Sequence, residues 1–186
     1  MTELTSTMLF DPSSNLFHAT KHNFDSFSLN FAGTGEGTVD ISGLYFTEQF
    51  RGAKYHIKRC RSSNQGVIYR CQFSNAAVVA TRGVPIDFQG ISVVRAFRKL
   101  SLVYSANSGE RDWYNLMESA LLNYAPGADT LRLQSQRDRV INQLLSSVGI
   151  AGIFDYELNY TDAAYFGRTT LVINTNHLLI KEKVFI

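Results

Sequence analysis

Alternating apolar and polar positions in the first half of the chain predict strands. In "GVIYRCQFSN", Val67, Tyr69, Cys71 and Phe73 fall on one side of an extended chain and mostly polar residues fall on the other. Shorter strands are predicted within "SSNLFHATKH", "GLYFTEQF" and "AAVVATRGVPI", and a long glycine-rich loop is predicted at 31–43. This half of the molecule should therefore contribute most of a sheet.

The spacing of apolar residues changes to that of helices at two places. Phe50, Ala53 and Ile57 predict a short helix after the second strand. Further helices are predicted from position 93, in "SGERDWYNLMESALLNYAPG" with Ser108 as N-cap, and in "LRLQSQRDRVINQLLSSVG" with Gly149 as C-cap. The residues expected to face inward in the last of these helices are Leu133, Val140, Leu144 and Leu145.

The order of the predicted elements indicates an α+β fold. Two final strands are predicted in "GIAGIFDYELNY" and "GRTTLVINTNHLLI", after a helical segment at about 93–148. Strands, then helices, then strands do not match the regular alternation of a doubly wound sheet. With 186 residues, 45% of them hydrophobic, we expect a single domain over 1–186.

Composition narrows the location and the partners. There is no apolar run long enough for a membrane span and no secretory signal at the N-terminus, so we expect a cytoplasmic protein without a membrane partner. The net charge of +2 gives no overall polycation for nucleic-acid binding. Cys60 and Cys71 are expected to be free thiols, and the four histidines show no metal-binding spacing.

Two short segments carry the candidate chemistry, "LFHAT" at 16–20 and "GLYFT" at 43–47, the latter followed by Ala53 and Tyr55. Together they resemble the ADP-ribosyltransferase superfamily, in its diphtheria-toxin and poly(ADP-ribose) polymerase branch. That family opens with Tyr/Phe-His-Gly-Thr, then a glycine-rich loop, Gly-Ile/Leu-Tyr-Phe-Ser/Thr, and a helix with a second tyrosine. "VIYRCQF" and "GIAGIF" are similar to its later strands, and the helical segment is matched poorly.

The resemblance implies a split antiparallel sheet that binds NAD as co-substrate without a metal. His18 is expected to bond a ribose hydroxyl, the backbone of Ala19 to hold the nicotinamide amide, and Tyr45 and Tyr55 to sandwich the nicotinamide ring. The full set of implied cofactor-binding residues is His18, Ala19, Thr20, Gly43, Tyr45, Tyr55 and Thr169.

One departure from the family concerns the catalytic acid. The family has a glutamate at the start of its last strand, where this chain has Thr169. Cleavage of the nicotinamide–ribose bond develops positive charge on the ribose, which a carboxylate stabilises. Asp155 and Glu157 are two residues apart, so on a strand they share one face, and antiparallel pairing would bring them beside Thr169. We expect Glu157, with its longer side chain, or Asp155 to act with Tyr45 in catalysis; the alternative is that both acids only face solvent.

Other interpretations of the same residues stay open. The chain could transfer ADP-ribose without an acid, hydrolyse NAD as a glycohydrolase, or act as an inactive module that binds NAD or ADP-ribose. Small family members are often toxins, phage proteins or effectors, which implies a protein or nucleic-acid acceptor and an antitoxin or immunity partner. The basic segments "RGAKYHIKRCR" and "RAFRK" are either solvated helix faces or a stripe that binds phosphate.

Overall fold

The computed structural model describes residues 9–32, 43–60, 65–100, 112–124, 134–158 and 161–186. The strands are β1 (Leu16–Thr20), β2 (Leu44–Thr47), β3 (Val67–Phe73), β4 (Val78–Thr81), β5 (Ile150–Phe154), β6 (Thr169–Val172) and β7 (Leu178–Phe185). The helices are α1 (Phe50–Cys60), α2 (Ile91–Lys99), α3 (Trp113–Tyr124), α4 (Gln134–Ser147) and α5 (Ala163–Phe166). Short 3-10 helices lie at Leu29–Phe31, Ile86–Phe88 and Thr175–His177.

The described strands form one open sheet in the order β4-β5-β6-β2-β1-β3-β7. Neighbouring strands are antiparallel, except for the parallel pair β4–β5. The α+β class predicted from the order of elements is confirmed. The predicted helical segment contains most of α2 and all of α3 and α4, while 101–111 and 125–133 lie outside the described residues, as does most of the predicted glycine-rich loop.

The sheet is weakly joined between β1 and β2. β1 pairs with β3 along its whole length, from Leu16 opposite Cys71 to Thr20 opposite Val67. On its other side, β1 pairs with β2 at the single position where Phe17 faces Thr47. β2 is held instead by β6, with which it pairs along its whole length. The two central strands therefore separate beyond Phe17.

Helices cover one face of the sheet in two groups. Ala19 and Ile68 lie opposite each other on β1 and β3 and pack against α1 through Ala53 and Ile57. Because strand residues alternate between faces, the register places this cluster on the same face as Tyr45 of β2.

The second group of helices covers β5 and β6 on that face. Tyr45 lies opposite Leu171, which lies opposite Ile153, and this row packs against Ile141 and Leu145 of α4. β2 therefore runs between the area covered by α1 and the area covered by α2, α3 and α4.

The other face of the sheet carries an aromatic cluster. Phe46 and Tyr69 belong to it, and the chain that follows β1 covers them with Phe24 and Phe27. Phe24 stacks on Tyr69 at a ring distance of 4.5 Å, and its backbone N–H donates to the Tyr69 hydroxyl at 2.7 Å. Among the described residues, irregular chain thus covers this part of the second face.

Two predicted element boundaries are wrong. The segment "GRTTLVINTNHLLI", predicted as one strand, forms β6 and β7, because the Asn174 side chain accepts the N–H of Asn176 and turns the chain through a 3-10 helix. α3 begins at Trp113, where Asp112 caps it by accepting the N–H of Tyr114 at 2.8 Å. The predicted cap, Ser108, lies outside the described residues.

The inward face of α4 is rotated from the predicted one. Ile141 and Leu145 are fully buried, whereas Leu144 is 39% exposed, and Leu133 lies outside the described residues. Gly149 has φ of 95° after the end of the helix, and its predicted role as a C-cap is confirmed. Among the helices that the structure describes, none combines the length and the apolar character that a membrane span requires.

Candidate functional site

His18 bridges the opening between β1 and β2. Its Nδ1 lies 2.7 Å from the backbone carbonyl oxygen of Tyr45, and since a carbonyl only accepts, Nδ1 carries the proton. The half-buried imidazole packs against Phe27 and Phe46 at ring distances of 5.4 and 5.1 Å. His18, from the "LFHAT" motif, thus holds the backbone of Tyr45, from the "GLYFT" motif. It does so at the point where the backbone pairing of β1 with β2 ends.

The phenol ring of Tyr45 lies on the opposite face of the sheet from the imidazole of His18. It meets the ring of Tyr156 edge-on, at 5.7 Å and 70°. Burial, reinforced by Tyr156 and by the charge of Glu157, raises the pKa of the Tyr45 phenol far above its ordinary value. The hydroxyl therefore stays protonated at any physiological pH.

Tyr55, the second tyrosine of the predicted sandwich, is 42% exposed on α1 and stacks on Phe166 of α5 at 4.5 Å and 31°. Tyr45 and Tyr55 each pack on a different aromatic residue. They lie on the same side of the sheet, because α1 covers the face that carries Tyr45. The sandwich of a nicotinamide ring between them stays a prediction.

α5 is fastened to the start of α1. The Thr47 hydroxyl donates to the Phe166 carbonyl oxygen at 2.5 Å. Arg51 donates to two carbonyl oxygens of α5 and places its guanidinium 4.4 Å from the centre of the Tyr165 ring. One of the basic residues considered for phosphate binding is thus used to hold this segment.

We expect Gly52→Ala to destabilise the protein by about 1–3 kcal/mol, the usual cost of overpacking. A Cβ at position 52 would lie 2.1 Å from the Phe166 carbonyl oxygen, so α5 would have to move away from α1. Urea unfolding measures the effect. Gly90→Ala is the matched control, since a Cβ there meets nothing within 4 Å. Equal stabilities of the two variants would contradict the close packing of α5 on α1.

Thr169 occupies the start of β6, opposite Thr47. Its hydroxyl oxygen accepts the backbone N–H of Glu157 at 3.1 Å, and its carbonyl oxygen accepts that of Tyr156 at 3.0 Å. The predicted antiparallel pairing of β5 with β6 is confirmed, and Glu157 lies beside Thr169 as expected. The Glu157 side chain is exposed, and it is near enough to Tyr45 for its charge to act on the phenol.

Asp155 is separated from Glu157 by a turn. β5 ends at Phe154, and Asp155 has φ of 54°, so the prediction that both acids share one face of a strand is wrong. Burial raises the pKa of the Asp155 carboxyl, and the charge of Arg168 opposes the rise. Arg168 itself forms a bidentate ion pair with Glu48, with distances of 2.9 and 3.0 Å.

We expect Asp155→Asn to stabilise the protein modestly at pH 7, because asparagine tolerates a positive φ and carries no charge to bury. The folded protein holds the Asp155 proton to higher pH than the unfolded chain does, whose pKa is near the ordinary 3.8. The free energy of unfolding of the wild type therefore decreases as the pH rises above 3.8, where the unfolded chain loses this proton. The difference in stability between the variant and the wild type should vanish near pH 3, where the carboxyl is protonated in both states. Urea unfolding between pH 3 and pH 8 tests this; a less stable variant at pH 7 would contradict it.

The remaining predicted cofactor-binding residues, Ala19, Thr20 and Gly43, lie on β1 or directly before β2. Ala19 is buried against α1, and Thr20 is buried at the end of β1, where its hydroxyl accepts the backbone N–H of His22 at 3.3 Å. Gly43 precedes β2, and a Cβ there would lie 2.7 Å from the side chain of Leu171. Glycine is thus required for the close approach of β2 to β6.

A polar cluster that the sequence did not predict lies beside Tyr45. Asp138 of α4 accepts hydrogen bonds from the hydroxyls of Tyr114 and Tyr156, at 2.7 and 3.1 Å. Arg82 donates to the Tyr156 carbonyl oxygen at 2.6 Å and lies 4.2 Å above the Tyr114 ring. Burial raises the pKa of Tyr156 to about 12, so it remains a neutral hydrogen-bond donor.

The signal for this cluster lay in α4. Asp138, Ile141, Asn142 and Leu145 follow the spacing of one helix face, so two polar side chains stand in an apolar stripe. Buried polar groups in such a stripe need partners, and the tyrosines provide them for Asp138. With nine tyrosines in the chain, their positions alone did not identify the partners.

The structure brings the two motifs onto the adjacent strands β1 and β2, and it places Glu157, in the segment after β5, beside Thr169 at the start of the next strand, β6. In the part of the chain that is described, no three His, Cys, Asp or Glu side chains are grouped to hold a metal ion. Comparison with known proteins yields no matching family model, no matching curated protein and no matching solved structure.

Proposed function

We propose that this chain is an NAD-dependent ADP-ribosyltransferase, which cleaves the nicotinamide–ribose bond of NAD and transfers ADP-ribose to a protein or nucleic acid. The observation that carries the proposal is the meeting of three distant segments. The backbone of Tyr45 is bonded to His18 on one side and pairs with β6 on the other, and β6 holds Glu157 through Thr169.

The arrangement of the sheet supports an ADP-ribosyltransferase-like core. The family implies a split sheet, and in this chain β1 and β2 separate beyond the pair Phe17–Thr47. The imidazole of His18 takes over the hydrogen bond that a continuing β1 backbone would make to Tyr45. In this proposal His18 is a positioning residue for β2, and its contact with a ribose hydroxyl remains a prediction.

The residues around Tyr45 have the properties that the reaction needs. In the proposed mechanism, the half-buried and neutral phenol ring of Tyr45 stacks on the planar leaving group. Glu157 is an exposed carboxylate on the same side of the sheet, and its charge reaches Tyr45. In the proposed mechanism this carboxylate stabilises the positive charge that develops on the ribose as the bond to nicotinamide breaks.

The experiment that tests the proposal is incubation of the purified chain with labelled NAD, with and without cell lysate. Nicotinamide release that depends on lysate, with label on macromolecules, supports transfer. Release without lysate and without labelled macromolecules indicates an NAD glycohydrolase, and NAD binding without release indicates a binding module. Sensitivity of the labelled material to protease or RNase identifies the class of acceptor.

A further inference from the structure

β7 is a long strand at one end of the sheet. It has 8 residues, more than any other described strand, and it pairs with β3 on one side only. No described strand pairs with its other side. An open edge of this length presents backbone N–H and carbonyl groups that favour pairing with another strand. Two apolar side chains of β7, Leu179 and Phe185, are 42% and 66% exposed.

A bulge in the middle of β7 changes which of its residues point toward the open edge. The register with β3 skips Lys181, because consecutive residues of β3 lie opposite Glu182 and Ile180. An extra residue of this kind leaves the two halves of a strand with opposite alternation. The two halves of β7 must therefore be followed separately, each from its own end.

Backbone hydrogen bonds at the two ends show which residues point outward. Ile186 exchanges two backbone hydrogen bonds with Gly66 and so points toward β3. At the other end, the carbonyl oxygen of His177 accepts the N–H of Ser74 and points the same way. Alternation from both ends leaves a set of outward-pointing residues that is symmetric about the bulge. These residues are Leu178, Ile180, Lys183 and Phe185.

We propose that two copies of this chain pair through β7, antiparallel to each other, about a two-fold axis at the bulge. Leu178 then lies opposite Phe185 of the second copy, so outward groups meet outward groups. Both side chains lie on the face of the aromatic cluster, since they are opposite Phe73 and Val67 of β3. The exposed ring of Phe185 thus packs beside an apolar side chain.

The charges at the bulge are complementary in the same register. Lys181 is exposed and, within the described part of the chain, forms no ion pair; it lies opposite Glu182 of the second copy. Glu182 keeps its own pair with Arg70, at 2.8 Å. The ammonium of Lys183 is held by Asp25 at 2.6 Å, over its own sheet. A shift of one residue would place Lys181 opposite Lys181, or Glu182 opposite Glu182, so the charges select this register.

Two charge reversals test the pairing by sedimentation equilibrium of the full chain. The wild type should reach twice the 20.9 kDa mass of one chain. Lys181→Glu places acids opposite each other and Glu182→Lys places cations opposite each other, so each should weaken the dimer at least about tenfold. An equimolar mixture of the two variants should restore the dimer, because opposite charges then face each other. Lys58→Glu, the same change on the exposed face of α1, is the matched control and should remain dimeric.

Several results would overturn the inference. They are a wild type that stays monomeric up to its solubility limit, a dimer that persists in Lys181→Glu, and a mixture of folded variants that stays monomeric. Because Glu182→Lys also loses the ion pair with Arg70, urea unfolding checks that this variant is folded.

Hydrogen exchange of the wild type gives a measurement that needs no variant. The outward amides of Ile180 and Lys183 should exchange more slowly as the protein concentration is raised, because they become hydrogen-bonded in the dimer. Exchange that does not depend on concentration overturns the pairing through β7. Neither measurement involves NAD, so the inference stands or fails independently of the proposed function.

Discussion

Glu157→Gln is expected to lower the rate of nicotinamide release at least about 100-fold and to leave the affinity for NAD within about twofold. Removing one preorganised charge from the site of a developing charge typically costs this much in rate. The backbone of Glu157 is held by the Thr169 hydroxyl, and its side chain is exposed, so the amide should leave the fold unchanged. Single-turnover release from labelled NAD and equilibrium binding of NAD measure the two effects separately.

Asp155→Asn is the control for this experiment and should retain wild-type turnover. Asp155 lies beyond the turn at the end of β5, in the neighbourhood of Arg168 and Glu48. Loss of turnover in Asp155→Asn with full turnover in Glu157→Gln would transfer the catalytic role to Asp155. Full turnover in both variants would mean that transfer proceeds without an acid from this segment.

The strands and the first helix could be predicted because their signals are local. In β3 the alternation from Val67 to Phe73 is broken only by Ile68, which packs against α1, and the strand lies where that pattern places it. In α1 the stripe of Ala53 and Ile57 faces the sheet as its spacing requires. Such patterns record which face of an element is buried, and that is sufficient to define the element.

The placement of side chains on the two faces of the sheet could not be predicted. The motifs place His18 and Tyr45 on neighbouring strands, but the face of each ring depends on the register of β1 against β2. Phe17 faces Thr47, which turns the imidazole to one face and the phenol to the other. A shift of one residue would have put both rings on one face, and no local feature of either strand sets that register.

The contacts of Asp155 and Asp138 could not be predicted from the sequence for a second reason. The turn at Asp155 needs a positive φ. Aspartate tolerates this conformation, so the sequence contains no glycine that would have indicated the turn. The partners of Asp138 come from α3 and from the segment that follows β5, 24 and 18 residues away along the chain. Such polar contacts form only when separate elements pack together, so local sequence patterns do not identify the partners. The only signal in the sequence was the presence of polar residues within the apolar stripe of α4.

Tyr45→Ala is expected to weaken NAD binding about 10- to 100-fold, since stacking of a base on an aromatic ring is worth about 1–3 kcal/mol. Tyr45 also packs against Tyr156 and is half-buried, so the free energy of unfolding should fall by about 3 kcal/mol, the low end for truncation of an aromatic residue, with the chain still folded. Equilibrium dialysis with NAD, at a temperature well below the unfolding transition of the variant, measures the affinity.

Tyr45→Phe separates the ring from its hydroxyl. Because burial keeps the phenol protonated, the hydroxyl supplies no charge, and the phenylalanine variant should bind NAD within about twofold of the wild type. An alanine variant that binds NAD as tightly as the wild type would remove the stacking surface from the proposed site. A phenylalanine variant as weak as alanine would instead assign the binding energy to the hydroxyl, and with it a hydrogen bond to the bound dinucleotide in place of stacking.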